Sequence, residues 1–295
     1  MLAAWGADAS AVTPHPPVVD GPANQELGFS NGTYLVWTQN EPDRPNDFDA
    51  FIRLVTGGAK TQINVKGDGF PGSFDLGTET MIYQQKVRQR SDLYLYDAVA
   101  GTRTKLPARI NTDHWEWSPR LSGSFIMFIR NNGDRARLMA YDRGTQAVVE
   151  LENVNRRRVY LESGGVGDEY ATWTRCDRTT CSAWVHRFDT DSTRKIPGPG
   201  TRPQYGAVVD ETTGTIYWIR SGFGCGAFVR GWRAPVGALG SEVKVFALPD
   251  RIDTGFVSSV APNLDTMGTD MWFQRFDCRR QQGDIWVLKN VQPTG

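Results

Sequence analysis

The sequence predicts an all-β fold, a six-bladed β-propeller of four-stranded antiparallel blades in which an N-terminal strand completes the last blade. Three observations carry that expectation. Trp37, Tyr83, Phe128, Trp173, Trp218 and Phe273 each close a run of apolar residues, at intervals of 46, 45, 45, 45 and 55 residues. A repeat of that length, holding several short strands per unit, is the pattern of propeller blades. Within each unit, strand-sized apolar runs alternate with turn residues. The sixth unit ends at Val287-Leu288-Lys289-Asn290 with no fourth strand behind it. Its edge has to be covered from elsewhere, because an open edge invites aggregation.

The elements follow in chain order. Residues 1–11 read as the remnant of a secretory leader: Leu2-Ala3-Ala4-Trp5 leads to Ala9-Ser10-Ala11, an A-x-A cleavage pattern, although a basic n-region and a full apolar h-region are missing. An ordinary Ala-rich chain end is the alternative. Residues 12–295 form one propeller domain. Just past Pro14-His15-Pro16-Pro17, Val18-Val19 within residues 17–20 supplies the missing outer strand and closes the ring. The blades span about 27–66, 70–107, 114–152, 159–197, 204–249 and 256–290.

The third unit shows the pattern most plainly. Trp115-Glu116-Trp117-Ser118 is a short inner strand, Pro119 to Gly123 a turn, and Ser124 to Arg130 an apolar second strand. Asn131-Asn132-Gly133-Asp134 signals a hairpin. A third strand through Leu138-Met139-Ala140-Tyr141, a turn at Asp142-Arg143-Gly144-Thr145 and a fourth strand at Ala147 to Leu151 complete the blade. Elsewhere the second strands are Tyr34 to Trp37, Met81 to Tyr83, Ala171 to Trp173, Ile216 to Trp218 and Met271 to Phe273. Third strands include Phe51 to Leu54, Leu93 to Tyr96, Ala183 to Val185 and Ile285 to Val287. Apolar residues on both faces suit sheets packed between neighbouring sheets, so most of the 10 Trp, 9 Tyr and 14 Phe read as interblade packing. The surplus of the 55-residue interval falls around Gly231 to Pro249, in the third and fourth strands of the fifth blade or their turn.

Trp117-Ser118-Pro119-Arg120-Leu121-Ser122-Gly123 resembles the W-S-P-D-G turn of the TolB-like β-propeller repeats, with the acidic residue replaced and two residues added. Ser73 to Gly77 and Val209 to Gly214 keep the turn but lose the Trp and Pro. The resemblance covers about residues 27–290 at repeat level, and TolB's additional N-terminal domain is not apparent. It implies a six-bladed propeller used for protein interaction. The family is in turn similar to the propeller half of prolyl-oligopeptidase-type peptidases, and a hydrolase domain like theirs is not expected within residues 1–295.

Composition narrows the partners. A chain of 295 residues with 39% hydrophobic residues can bury a large core, roughly three quarters of its unfolded surface. Lys+Arg 33 against Asp+Glu 33 gives no global field to gather nucleic acid or an anionic membrane. No nucleic acid is expected as a partner. The longest apolar runs are strand-sized, so no membrane span is expected. A monomer is the expected state.

The four cysteines allow three pairings, and Cys176–Cys181 with Cys225–Cys278 is the preferred one. Cys176 and Cys181 face each other across a hairpin; Cys225 and Cys278 follow Trp218 and Phe273 in equivalent loops of consecutive blades. A four-cysteine zinc site is disfavoured because the second pair lacks C-x-x-C spacing. Paired thiols place the protein in an oxidising compartment, secreted or in the cell envelope.

Chemical motifs are weak. Gly28-Phe29-Ser30-Asn31-Gly32 matches the G-x-S-x-G nucleophile elbow, but a strand rather than a helix follows it. Asn31-Gly32-Thr33 is a glycosylation sequon, relevant only in a eukaryotic secretory route. The glycine runs 164–167 and 222–226 lack the strand-to-helix context for phosphate binding. Asp43, Asp47 and Asp49 could offer oxygens to calcium, but Pro42 and Pro45 and the spacing favour a solvated turn. His15, His114 and His186 are too scattered to build a metal cluster. Neither a metal nor a cofactor is expected, and no catalytic residue is assigned.

One location is more informative than any motif. Inner strands line a propeller's central channel, so their starts gather around one mouth. His114, Glu116, Arg158, Tyr160, Arg202 and Tyr205 are the candidate ligand-binding residues there. The expected function is a secreted or envelope-associated, non-enzymatic binding propeller for an unknown protein or small molecule. The alternative is an enzyme acting at the mouth, a lactonase-like hydrolase or a lyase, which rests on fold analogy.

Overall fold

The structure is a computed structural model that describes residues 19, 23–40, 43–44, 46–75, 77–198, 203–221, 229–248, 256–257, 263–264, 271–277 and 282–288. Nearly all the regular structure among them is β. Strands β1 (Asn24–Ser30), β2 (Tyr34–Asn40), β3 (Phe48–Leu54) and β4 (Gly57–Gln62) form one antiparallel meander. It is followed by β5 (Asp68–Phe74), β6 (Thr80–Val87), β7 (Arg90–Asp97) and β8 (Thr102–Lys105), then by β9 (Trp115–Leu121), β10 (Phe125–Asn132), β11 (Arg135–Asp142) and β12 (Val148–Asn155). These two meanders touch through one parallel bridge, Ser91 to Trp115. Next come β13 (Tyr160–Val166), β14 (Tyr170–Cys176), β15 (Cys181–Arg187) and β16 (Ser192–Lys195), and β17 (Gln204–Asp210), β18 (Thr215–Ser221), β19 (Val229–Pro235) and β20 (Val243–Leu248). In the last sheet β21 (Phe256–Val257) and β22 (Asn263–Leu264) both pair with β23 (Met271–Asp277), which pairs with β24 (Gln282–Leu288).

The first strand of each meander contacts the first strand of the next, and β1 in turn contacts β22, β23 and β24. The sheets therefore close into a ring, with β1, β5, β9, β13, β17 and the pair β21 and β22 innermost. This is a β-propeller.

The aromatic repeat occupies one ladder position. Trp37 stands opposite Phe51, Tyr83 opposite Tyr94, Phe128 opposite Met139, Trp173 opposite Trp184, Trp218 opposite Trp232 and Phe273 opposite Trp286. Trp37, Tyr83, Phe128, Trp173 and Trp218 are all fully buried. Their clusters lie between sheets: Phe29, Val36 and Ile52 of the first meander pack with Phe74, Met81 and Tyr83 of the second. Ala183 and Val185 pack likewise with Ala207, Ile216 and Trp218. Burial of such side chains contributes about 1.5–3 kcal/mol each.

Inter-sheet turns are clasped by polar groups. Glu211, after β17, accepts hydrogen bonds from the N–H groups of Asp168, Glu169 and Tyr170 at 2.8, 2.8 and 2.9 Å. Asp168 accepts from the Ser124 N–H at 3.0 Å. Arg143 reaches Asp75 at 2.7 Å, and the Asn31 amide donates to Glu79 at 2.6 Å. Asn31 is thus a turn clasp at the position of the sequon.

One local reading changes. The turn expected over Pro119 to Gly123 starts later, because β9 runs on through Leu121, with Arg120 paired to Met127 and Leu121 to Ile126. A bulge opposite Met127 and Ile129 lets the strand continue past Ser118, whose φ is +51°. In the fifth meander a 3-10 turn at Val236–Ala238 joins β19 to β20. Val19 sits in an isolated bridge and packs with Leu35, Trp37 and Val287, the last of these on β24. No helix among the described residues is long and apolar enough to cross a membrane.

Candidate functional site

Each of β1, β5, β9, β13 and β17 carries a bulge in its pairing with the second strand, at Glu26/Phe29, Pro71/Phe74, opposite Met127/Ile129, at Ser163/Val166 and at Tyr205/Val208. A bulge adds a residue and re-aims the side chains that follow it. In β9 it brings Arg120 into the ring's interior. Arg120 is buried, and its guanidinium donates to the carbonyls of Gly164 at 2.6 Å, Pro119 at 2.8 Å and Ser163 at 3.0 Å. It also lies 4.7 Å from the centroid of the Phe29 ring on β1. Burial pulls its pKa down to about 10. Three innermost strands are therefore joined by one side chain.

The carbonyl of Gly164 can serve because its residue has no Cβ. An added one would stand 2.4 Å from the Ala207 carbonyl oxygen and 2.5 Å from the Thr172 hydroxyl. The glycine run at 164–167 is thus a close-packing device within and just after β13 rather than a phosphate loop.

Beside Arg120 lies Glu162 on β13, 8% exposed. No hydrogen bond or ion pair among the described residues engages its carboxyl group, and Oε2 is enclosed without a partner. Burial pushes its pKa up to about 8, against the opposing field of Arg120. Tyr205 on β17, itself buried, has its pKa raised to about 12 by burial and by the Glu162 charge. Tyr160 precedes Glu162 by two residues on the same face of β13. It is 48% exposed and packs against Trp117 of β9 with the two rings tilted by 39°, centroids 5.6 Å apart. Trp115 is exposed at the start of β9 with the Lys86 ammonium 5.7 Å from its ring centroid. The ammonium is also paired with Asp68 at 3.0 Å.

The structure brings Tyr160 and Tyr205 to one place, and sequence reasoning missed the Arg120 and Glu162 that join them. The available signal was a charged residue two positions from Tyr160 in an inner strand. Glu116 goes elsewhere. It is fully buried on β9, where Oε1 accepts from Thr112 Oγ1 at 2.6 Å and Arg130 Nε at 2.9 Å, which ties the segment leading into β9 to β10. His114 is half-buried in the turn before β9, and Arg158 is exposed in the turn before β13. Arg202, Cys225 and Cys278 lie outside the described residues.

Cys176 and Cys181 form a disulfide across the β14–β15 hairpin, and Cys176 pairs in register with Tyr160. The bridge therefore flanks the start of β13. Ser30 ends β1 before a strand, its hydroxyl donating to the Tyr34 carbonyl. His186 is buried with Nδ1 at 2.9 Å from Thr193 Oγ1, and Asp49 accepts from Gln62 and Asn64. No group of His, Cys, Asp and Glu able to hold a metal occurs among the described residues.

No protein-family model matches the sequence, and no curated protein matches it. By structure the chain is similar to TolB from Acinetobacter baumannii, at 12% identity, covering 89% of this chain and 65% of that one, with a TM-score of 0.59. The chain thus spans just under two thirds of the length of that TolB. It is also similar to an oligogalacturonate lyase in complex with manganese, at 11% identity, 94% and 93% coverage and a TM-score of 0.58. The β-propeller domain of the Trilobed protease from Pyrococcus furiosus is a third, at 10% identity, 92% and 98% coverage and a TM-score of 0.56. At such identities the likeness shows the fold alone.

Proposed function

We propose that the protein is an extracytoplasmic, non-enzymatic binding propeller of six blades, with TolB-like repeats, that takes a protein or small-molecule ligand where its inner strands begin. The exposed aromatic rim carries this reading. Trp115 and Tyr160 stand exposed around the half-buried Trp117 at the starts of β9 and β13, beside the Lys86 ammonium. Aromatic side chains left open on a rigid scaffold supply large contact area at little entropic cost. Arg120 fills the interior below them and is committed to three carbonyls, which suits a fixed floor. The Cys176–Cys181 disulfide and the likeness to TolB support an extracytoplasmic location.

A photo-crosslinking residue placed at Tyr160, compared with one at Val149 on the outer edge, tests the reading in the native host. Adducts specific to position 160 support it; identical patterns from both positions overturn it. The second reading, a lyase or lactonase-like hydrolase, is favoured by one observation. Glu162 is a buried carboxyl held protonated near neutral pH, the property of a general acid. Elemental analysis separates the two, since a stoichiometric metal in the purified protein would favour the enzyme.

A further inference from the structure

The other buried carboxylates among the described residues are all engaged, Asp210 by the Thr212 N–H at 3.0 Å and the Thr213 hydroxyl at 2.7 Å, and two of them by cations. Glu116 holds Arg130 at 2.9 Å, and Asp75 holds Arg143 at 2.7 Å. Glu162 is the exception among the described acidic side chains with under one-tenth exposure and an enclosed, unpartnered oxygen, for Asp75 and Glu116 each have their second oxygen engaged. A carboxylate taken from water without a counter-charge costs several kcal/mol, so such a group is completed by a ligand or stays protonated. The neighbouring cation does not complete it: the Arg120 nitrogens go to Pro119, Ser163 and Gly164, and its face to Phe29.

We propose that Glu162 is the receiving point for a primary alkylammonium group, whose alkyl stem lies against Tyr160 and Trp117. The inference rests on the reading of the aromatic rim as a binding site, and names the chemistry of what that site accepts. An ammonium offers N–H donors to the carboxylate and a positive charge that the faces of Tyr160 and Trp117 attract. The tilted pair Trp117–Tyr160 leaves about half of Tyr160 open, so an apolar stem has a surface to cover beside the carboxyl. The charged or titratable groups facing Glu162 are Arg120 from β9, Tyr160 from its own strand and Tyr205 from β17. Arg120 and the two phenols keep their protonation at neutral pH, so Glu162 alone sets the pH dependence.

Titration of n-butylammonium and of uncharged n-butanol into the full chain, followed by calorimetry and tryptophan fluorescence, tests this. Saturable butylammonium binding is expected, with a dissociation constant on the order of 1 mM. Glu162→Gln, which keeps the shape of the side chain, should weaken it about tenfold or more, and n-butanol should bind no better to the unaltered protein than butylammonium does to that variant. Affinity should rise about tenfold or more from pH 6 to pH 9, because Glu162 ionises across that range while an ammonium with a pKa of about 10.4 stays charged. Nα-acetyl-lysine amide, whose side-chain ammonium is free, run in parallel, distinguishes a lysine of a protein partner from a free amine by which probe binds tighter. Equal binding of butanol, an unaffected Glu162→Gln variant or a flat pH profile overturns the proposal. If butylammonium fails while crosslinking at position 160 persists, the ligand chemistry is wrong and the rim remains a binding site. If both fail, the rim reading falls with it.

Discussion

The Arg120 guanidinium lies 4.7 Å from the centroid of the Phe29 ring, linking the innermost strands of the third and first meanders across the ring's interior. Its hydrogen bonds to Ser163 and Gly164 add the fourth meander. Removing this side chain leaves buried carbonyls without donors. Arg120→Met should therefore destabilise the fold by about 3–5 kcal/mol, read from urea unfolding. Arg120→Lys should recover only part, since an ammonium cannot present the guanidinium's planar fork. Near-neutral behaviour of both variants would show that the interior rearranges without it.

Glu162 makes stability depend on pH in the less common direction. Its carboxyl titrates near pH 8 in the folded state, against about 4.5 for an unburied one. Between those values the folded chain binds more protons than the unfolded one, so stability falls as pH rises from about 4.5 to about 8 and levels off above. The difference in urea midpoint between the unaltered protein and Glu162→Gln should shift in the variant's favour from pH 5 to pH 8.5. A constant difference would mean that the carboxyl is solvated or paired. Asp177, held down to about pH 2 by the hydroxyl and N–H of Thr179 and the N–H of Thr180, acts below this window.

Glu211 fastens the fifth meander to the fourth through three N–H groups. Glu211→Ala should cost about 1–3 kcal/mol and raise hydrogen exchange at Asp168 to Tyr170 more than elsewhere. Gly167→Ala should reproduce the local effect, because its Cβ would stand 2.1 Å from Glu211 Oε1. Uniform exchange in either variant would count against the clasp.

The ring is expected to close through the N-terminal segment. Val19 packs with Val287 and with Leu35 and Trp37 of the first meander. Deleting residues 12–24 should lower the melting temperature sharply, and Val19→Asp should follow in the same direction by burying a charge. An unchanged transition in the deletion variant would refute closure by this segment.

Much of the scaffold was legible in the chain. Trp37, Tyr83, Phe128, Trp173 and Trp218 recur because each sheet needs a large apolar side chain at one ladder position, opposite its third-strand partner. Asn131 to Asp134 shows as a hairpin because Gly133 supplies the positive φ, +58°, that the turn requires. The Cys176–Cys181 bridge was legible for a similar reason, since a short hairpin fixes which residues oppose each other. The site was legible only in part. Tyr160 and Tyr205 could be placed near one mouth from the starts of their strands, whereas Glu116 from the same reasoning turned out to hold Arg130.

The sequence by itself determined the all-β class, the repeat and the local hairpins, because these depend on residue types at short spacing. Only the tertiary structure decided which side chains enter the ring's interior. A bulge in each of β1, β5, β9, β13 and β17 shifts the simple alternation of faces, so Arg120 points inward from what reads as a turn. Closure of the ring then sets Arg120, Glu162 and Tyr205 from three meanders beside one another, a proximity that no local spacing encodes.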